Sequence, residues 1–95
     1  ASKATHIYYI VQESLNNAVK HGKCRNIRIM LKRRGTGLFL SIVDDGTGLP
    51  EETGRRDGLG LMFMKYRAGI IGGILNVNRR KPSGTIVTCM IRRID

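Results

Sequence analysis

Eight of the twelve glycines in this 95-residue chain fall between Gly46 and Gly73. The excess is local, so it marks one stretch that needs bare backbone rather than a low-complexity chain. The two halves of the chain share a loose rhythm, a helical period followed by two alternating runs. A chain of this length, with 41% apolar residues, holds a single modest core and excludes two domains. The whole of 1–95 is therefore read as one domain.

From Ala4 to His21 the residues Ile7, Val11, Leu15 and Ala18, with Ile10 beside them, recur at helical spacing, and Gly22 supplies a stop. Ile27 to Lys32 alternates, Gly35-Thr36-Gly37 interrupts, and Leu38 to Val43 is nearly continuous apolar sequence. That predicts a β-hairpin whose second strand is the more buried. Asp44 to Gly60 mixes glycines, Pro50 and charged residues and reads as a mobile loop. Leu61, Met64, Ala68 and Ile71 then share a helix face, ended by Gly72-Gly73, and a second hairpin runs from Ile74 to Val77 and from Thr85 to Ile91. Phe39 and Phe63 are expected in the core, and Tyr8 and Tyr9 are expected to pack.

The charge balance is 17 Lys+Arg against 7 Asp+Glu, a net of +10. The cations cluster at Lys32-Arg33-Arg34, Arg79-Arg80-Lys81 and Arg92-Arg93, mostly at predicted strand ends. No Trp and only five aromatic residues argue against a nucleic-acid platform, so solvated turns are the preferred reading. No apolar run approaches the ~20 residues that span a bilayer, and no signal-peptide pattern is present. Cys24 and Cys89 show no ligand spacing, which predicts reduced thiols in a cytoplasmic protein.

Three stations carry chemistry. On the first helix Glu13, Asn17, Lys20 and His21 form a polar stripe beside the apolar one. An amide oxygen at Asn17 with phosphate oxygens suits Mg²⁺, and Glu13 one turn earlier can orient or deprotonate an attacking group. A solvated helix face has the same pattern. Asp44-Asp45-Gly46-Thr47-Gly48 closes the most apolar strand, where a carboxylate can accept from an amino group while bare backbone approaches a flat ring such as adenine. An ordinary turn uses the same residues. Gly58-Leu59-Gly60-Leu61 is expected to open the second helix and to offer unpaired amides to phosphates, although a glycine connector reads alike. GxxxxGK[ST] and GxGxxG are both absent, which disfavours a P-loop or dinucleotide fold.

In this order the three stations resemble the ATP-binding domain shared by sensor histidine kinases, DNA gyrase, MutL and the large heat-shock chaperones, the GHKL group with the Bergerat fold. Gln12 to His21 resembles its N box, Asp44 to Gly48 its G1 box, Gly58 to Leu61 its G2 box, and Gly84-Thr85 its closing pair. Within the group, the Gln-Glu before the N-box asparagine, Lys20-His21 and the short lid look most like the histidine kinases of the NarX and DesK kind. The resemblance implies a two-layer α/β (α+β) sandwich with helices on one face of a mixed sheet. It further implies that Asp44 reads adenine, Asn17 holds Mg²⁺, Glu13 is the catalytic acid/base or orienting residue, and Lys20 and His21 face phosphates or ribose. Gly46, Gly48, Gly58, Leu59, Gly60 and Leu61 would line the ATP, with Thr85 supporting the adenine side.

The strand expected before the N-box helix and the helical hairpin with the phosphoacceptor histidine are not in this sequence, so the domain reads as truncated at its N-terminus. Its implied partners are ATP, a phosphoacceptor histidine domain and a downstream response regulator, with no nucleic acid. The implied state is a cytoplasmic monomer, with membrane anchoring of the parent left open. Two other readings stay open: a basic module for nucleic acid or acidic protein surfaces, and another GHKL ATPase such as an anti-sigma serine kinase.

Overall fold

A computed structural model of the chain describes residues 2–20, 23–47 and 55–94, with 55–59 as backbone alone. The order is α1 (Lys3–Lys20), β1 (Ile27–Arg34), β2 (Gly37–Asp44), α2 (Arg55–Ile70), β3 (Gly73–Arg79) and β4 (Thr85–Ile91). The strands form one sheet in the order β1-β2-β4-β3. Each adjacent pair of described strands is antiparallel, which corrects the expectation of a mixed sheet. Each of the two hairpins pairs consecutive strands through a short turn, and antiparallel β2–β4 joins them edge to edge. The result is an α+β sandwich with both helices on one face.

Ser2 starts α1 by accepting the Thr5 amide on its Oγ at 3.2 Å, a capping contact that satisfies one of the first-turn donors. The fully buried positions of α1 are His6, Ile10, Ser14 and Ala18, while Ile7 and Val11 are only partly buried. The buried stripe is thus rotated from the purely apolar one expected. Local hydrogen bonding explains the shift: Ser14 Oγ donates to the Ile10 carbonyl at 2.9 Å and lies 3.4 Å from Met64 Sδ on α2. Arg67 of α2 donates to His6 Nδ1 at 3.3 Å. Polar groups satisfied in this way are buried at little penalty.

The helix α2 begins at Arg55, six residues before the expected Leu61, so Gly58 and Gly60 lie inside it. Its predicted inner face holds: Met64, Ala68 and Ile71 are buried, and Leu61 packs against the same core. Gly72, at φ +75°, ends the helix in the left-handed region where a Cβ is unfavourable. Leu40 and Ile42 of β2, Leu75 of β3 and Val87, Cys89 and Ile91 of β4 complete the core beneath Ile10. As expected, β2 is much more buried than β1. Both cysteines are free, and burial pushes the Cys89 thiol pKa up. The aromatic expectation is corrected. Phe63 is 57% exposed on the outer side of α2, and Phe39 is half-buried on the uncovered sheet face beneath Arg34, whose guanidinium lies 4.9 Å from the ring centroid. Tyr8 and Tyr9 are exposed and meet edge to face at 5.3 Å, with Arg67 over the Tyr9 ring at 4.2 Å. Among the described residues no helix is long and apolar enough to cross a membrane.

Candidate functional site

Asp44 is the last residue of β2 and is buried, 7% exposed, on the helix side of the sheet. Its Oδ1 accepts the Gly46 amide at 2.9 Å, which fixes the carboxylate at the turn and buries Gly46 beside it. The strand register sets Asp44 opposite Thr85 of β4, also buried, and opposite Ile27 of β1. Gly84, at φ +115°, brings its chain so close that a Cβ there would run into the Asp44 carbonyl oxygen. A buried carboxylate, a buried hydroxyl and bare glycine backbone therefore share one sheet end.

The neighbouring Asp45 ties that end to the chain leaving α1. Its Oδ1 accepts the amides of Arg25 at 2.8 Å and Asn26 at 2.9 Å, and Asn26 Nδ2 donates to its Oδ2 at 2.9 Å. These donors, Asn26 first, lower its pKa to about 2. The Cys24 amide in turn reaches the Ala18 carbonyl of α1 at 3.3 Å. The C-terminal half of α1, with Asn17 half-buried and Lys20 exposed, is thereby held at the same end of the molecule as Asp44. A cleft of about 520 Å³ opens at this sheet end, lined by Asn26, Arg28, Val43, Asp44, Asp45 and Arg80 and by no described residue of α1, with Arg28 and Val43 on the uncovered face of the sheet.

Glu13 lies one turn before Asn17 and is half-buried where the two helices meet. Its carboxylate fills the space that a Cβ at Gly60 would take. This is where the third station departs from expectation. Amides without an intrahelical partner belong to a helix's first turn, here 55–58, and Gly60 and Leu61 lie beyond it. Gly58 and Leu59 are helical in backbone, while the Leu59 side chain and the whole of His21 and Gly48 fall outside the described residues. The structure thus joins Asp44, Gly46 and Thr85 in one group, and Glu13 with Gly60 in a second, on the helix that also carries Asn17 and Lys20. Sequence reasoning gave no role to Asp45. The signal available for it was an Asn–Asp pair flanking two adjacent strands.

Among the described residues no three His, Cys, Asp or Glu side chains cluster as a metal cage. The nearby oxygen donors, Asn17 and Glu13, suit a hard cation that draws most of its ligands from phosphates and water.

The pattern of the Histidine kinase-, DNA gyrase B-, and HSP90-like ATPase family matches residues 2–94. The chain belongs to that family. It is 32% identical over 85 residues to the nitrate/nitrite sensor protein NarX of Escherichia coli K12, and equally to that of Shigella flexneri. The match covers 90% of this chain and 14% of NarX, so the chain spans about one-seventh of the length of these curated relatives. Among solved structures, the histidine kinase domain of the blue-light activated histidine kinase EL346 from Erythrobacter litoralis superposes with a TM-score of 0.78 at 28% identity, covering 94% of this chain and 47% of that one. The ATP binding domain of PrrB from Mycobacterium tuberculosis, at 23% identity, shares the fold with a TM-score of 0.78 over 96% of this chain and 69% of its own.

Proposed function

We propose that this GHKL domain is the ATP-binding catalytic domain of a two-component sensor histidine kinase, transferring the γ-phosphoryl group of ATP to a histidine on a separate dimerisation segment. The observation that carries the reading is the buried carboxylate of Asp44, held by the Gly46 amide next to Thr85 at the sheet end tied to α1. A carboxylate with a remaining acceptor site in a low-dielectric pocket selects a donor such as the adenine amino group. Gly46, Gly48 and Thr85 serve the base, and Lys20, His21 and the first turn of α2 up to Gly58 serve the phosphates and ribose. Asn17, with Glu13 beside it, would hold Mg²⁺, which when bound offsets phosphate charge. Glu13 orients or deprotonates the accepting imidazole, so catalysis is chiefly positioning and charge neutralisation.

The acceptor must reach phosphates next to Glu13, and the surface beside Gly60 suits a helical partner. Beginning two residues beyond that glycine, α2 exposes Met62, Phe63, Tyr66 and Ile70, each more than half exposed, along its outer side. An apolar stripe at helical spacing fits a groove or helix of a phosphoacceptor domain. The reading includes a response regulator downstream, a monomeric isolated domain, and a cytoplasmic location set by the supply of ATP. Calorimetry with ADP and Mg-ATP tests it. Asp44→Asn is expected to weaken both more than tenfold, and Asn17→Ala to remove the Mg²⁺ dependence while leaving metal-free ADP affinity within about threefold. Unchanged Mg-ATP affinity in both variants refutes the site.

A further inference from the structure

The helices cover one face of the sheet, and the other face has a composition that the kinase reading does not use. Ile74, Met90 and Met30 stand on it, exposed by 64%, 47% and 45%. The register sets Lys32, Phe39, Met90 and Ile74 in one row across all four strands, so the apolar groups are contiguous. Arg28, Lys32 and Arg34 of β1 edge this patch, and Arg92 joins Ile74 in a groove of about 550 Å³ at its far end. Among the described residues no carboxylate stands on this face. Asp45, past the end of β2, is turned to Arg25 and Asn26 by the three hydrogen bonds described above.

We infer that this open sheet face is a docking surface for an acidic protein partner, one presenting an apolar centre rimmed by carboxylates. An apolar centre with a charged rim is the layout of protein interfaces, and a rim of one sign selects its opposite. The other occupants fit less well. A second copy in a two-fold contact would set the same cations against each other on a chain of net charge +10. A lipid surface would bring hydrocarbon against Thr88 and Asn76, which share the middle row with Met30 and the buried Ser41 and need hydrogen-bond partners that a protein supplies. Single-stranded nucleic acid needs open rings, and Phe39, the one ring on this face among the described residues, lies under Arg34.

The test follows backbone amide resonances of the isotopically labelled chain during titration with an amphipathic peptide of glutamate and leucine. The same titration is run with phosphatidylglycerol vesicles and with oligo-dT. The peptide is expected to shift the amides of Phe39, Ile74 and Met90, with affinity falling at least tenfold in Met90→Glu and at least threefold in Lys32→Glu. Both variants should bind ADP within twofold of the parent chain, which shows that they remain folded and separates this surface from the nucleotide site. If Met90→Glu does not fold, Lys32→Glu and Ile74→Glu carry the comparison. Peptide shifts confined to α2, unchanged affinity in the face variants, or a response of the same amides to vesicles or oligo-dT in preference to the peptide overturns the inference.

Discussion

Replacing Gly60 with alanine separates stability from catalysis in this domain, and the structure sets the size of each effect. Gly60 is interior to α2, where alanine is favoured over glycine by about 0.8–1.0 kcal/mol. Against that gain, the new methyl would occupy the place of Glu13 Oε2 and lie 3.2 Å from Glu13 Cδ, while Cγ at 3.7 Å is in ordinary contact. The obstruction is therefore the end of a flexible side chain and not backbone. A shift of the carboxylate by about 1 Å relieves it, for about 0.5–1.5 kcal/mol if the side chain leaves its rotamer well. The two contributions nearly cancel, so the melting temperature is expected to change by no more than about 5 °C in either direction. Catalysis does not share in the cancellation, because a displacement of about 1 Å in an orienting group can reduce a rate on the order of 100-fold. The assay is single-turnover phosphoryl transfer from saturating ATP to the parent's phosphoacceptor segment, with calorimetry of ADP binding and thermal melting alongside. Slowed transfer with ADP affinity kept within threefold and little change in melting is the expected result. Unchanged transfer removes Glu13 from the chemistry. A fall in melting temperature beyond about 10 °C refutes the packing argument.

Gly84→Ala should be far more harmful to stability: with φ at +115° and its Cβ directed at the Asp44 carbonyl, the backbone itself must move. A loss exceeding about 2 kcal/mol, or roughly 10 °C in melting temperature, is expected, with ADP affinity falling as well. The Asp45 carboxylate has a folded pKa of about 2, below its ordinary value of 3.8. Its contribution to stability is therefore complete above about pH 4 and is lost as pH falls through 2. Acid unfolding followed by circular dichroism should show this contribution missing in Asp45→Ala, and an identical acid limb in the variant contradicts the latch to Asn26. In Asp45→Asn the amide can still accept the Arg25 and Asn26 amides but sets a donor against Asn26 Nδ2, so combination with Asn26→Asp is expected to recover most of the lost melting temperature.

Much of the fold was legible because period and turn chemistry agreed. Both hairpins, the greater burial of β2, and the Met64–Ala68–Ile71 face of α2 follow from alternation, helical spacing and glycines where a left-handed residue is needed. The start of α2 was not legible, since Gly58 and Gly60 look like breakers to any local rule. They are helical because the bare Gly60 lets α2 close on Glu13, a tertiary contact between residues 47 positions apart. The buried stripe of α1 escaped for a related reason. Hydropathy counts Ser14 and His6 as surface residues, yet Ser14 bonds to the carbonyl one turn back and His6 to Arg67 of the other helix. Phe39 and Phe63 went the opposite way, because a domain of two layers leaves the outer side of each layer without cover.

The candidate site divides along the same line. Asp44, Asn17 and Glu13 stand as candidates because each station's chemistry can be stated from residue type and local spacing. What holds the stations in one frame has no such local mark. Asp45 accepts amides some twenty residues earlier in the chain, and Gly84 clears room for a carbonyl forty positions back; both follow only once strand order is known. A motif names the atoms that can meet a ligand, whereas register and close backbone approach decide whether those atoms converge. The residues whose substitution most disturbs convergence, Gly84 and Asp45, should therefore change nucleotide affinity without touching nucleotide, and they should do so together with stability. Gly60→Ala should change the rate alone.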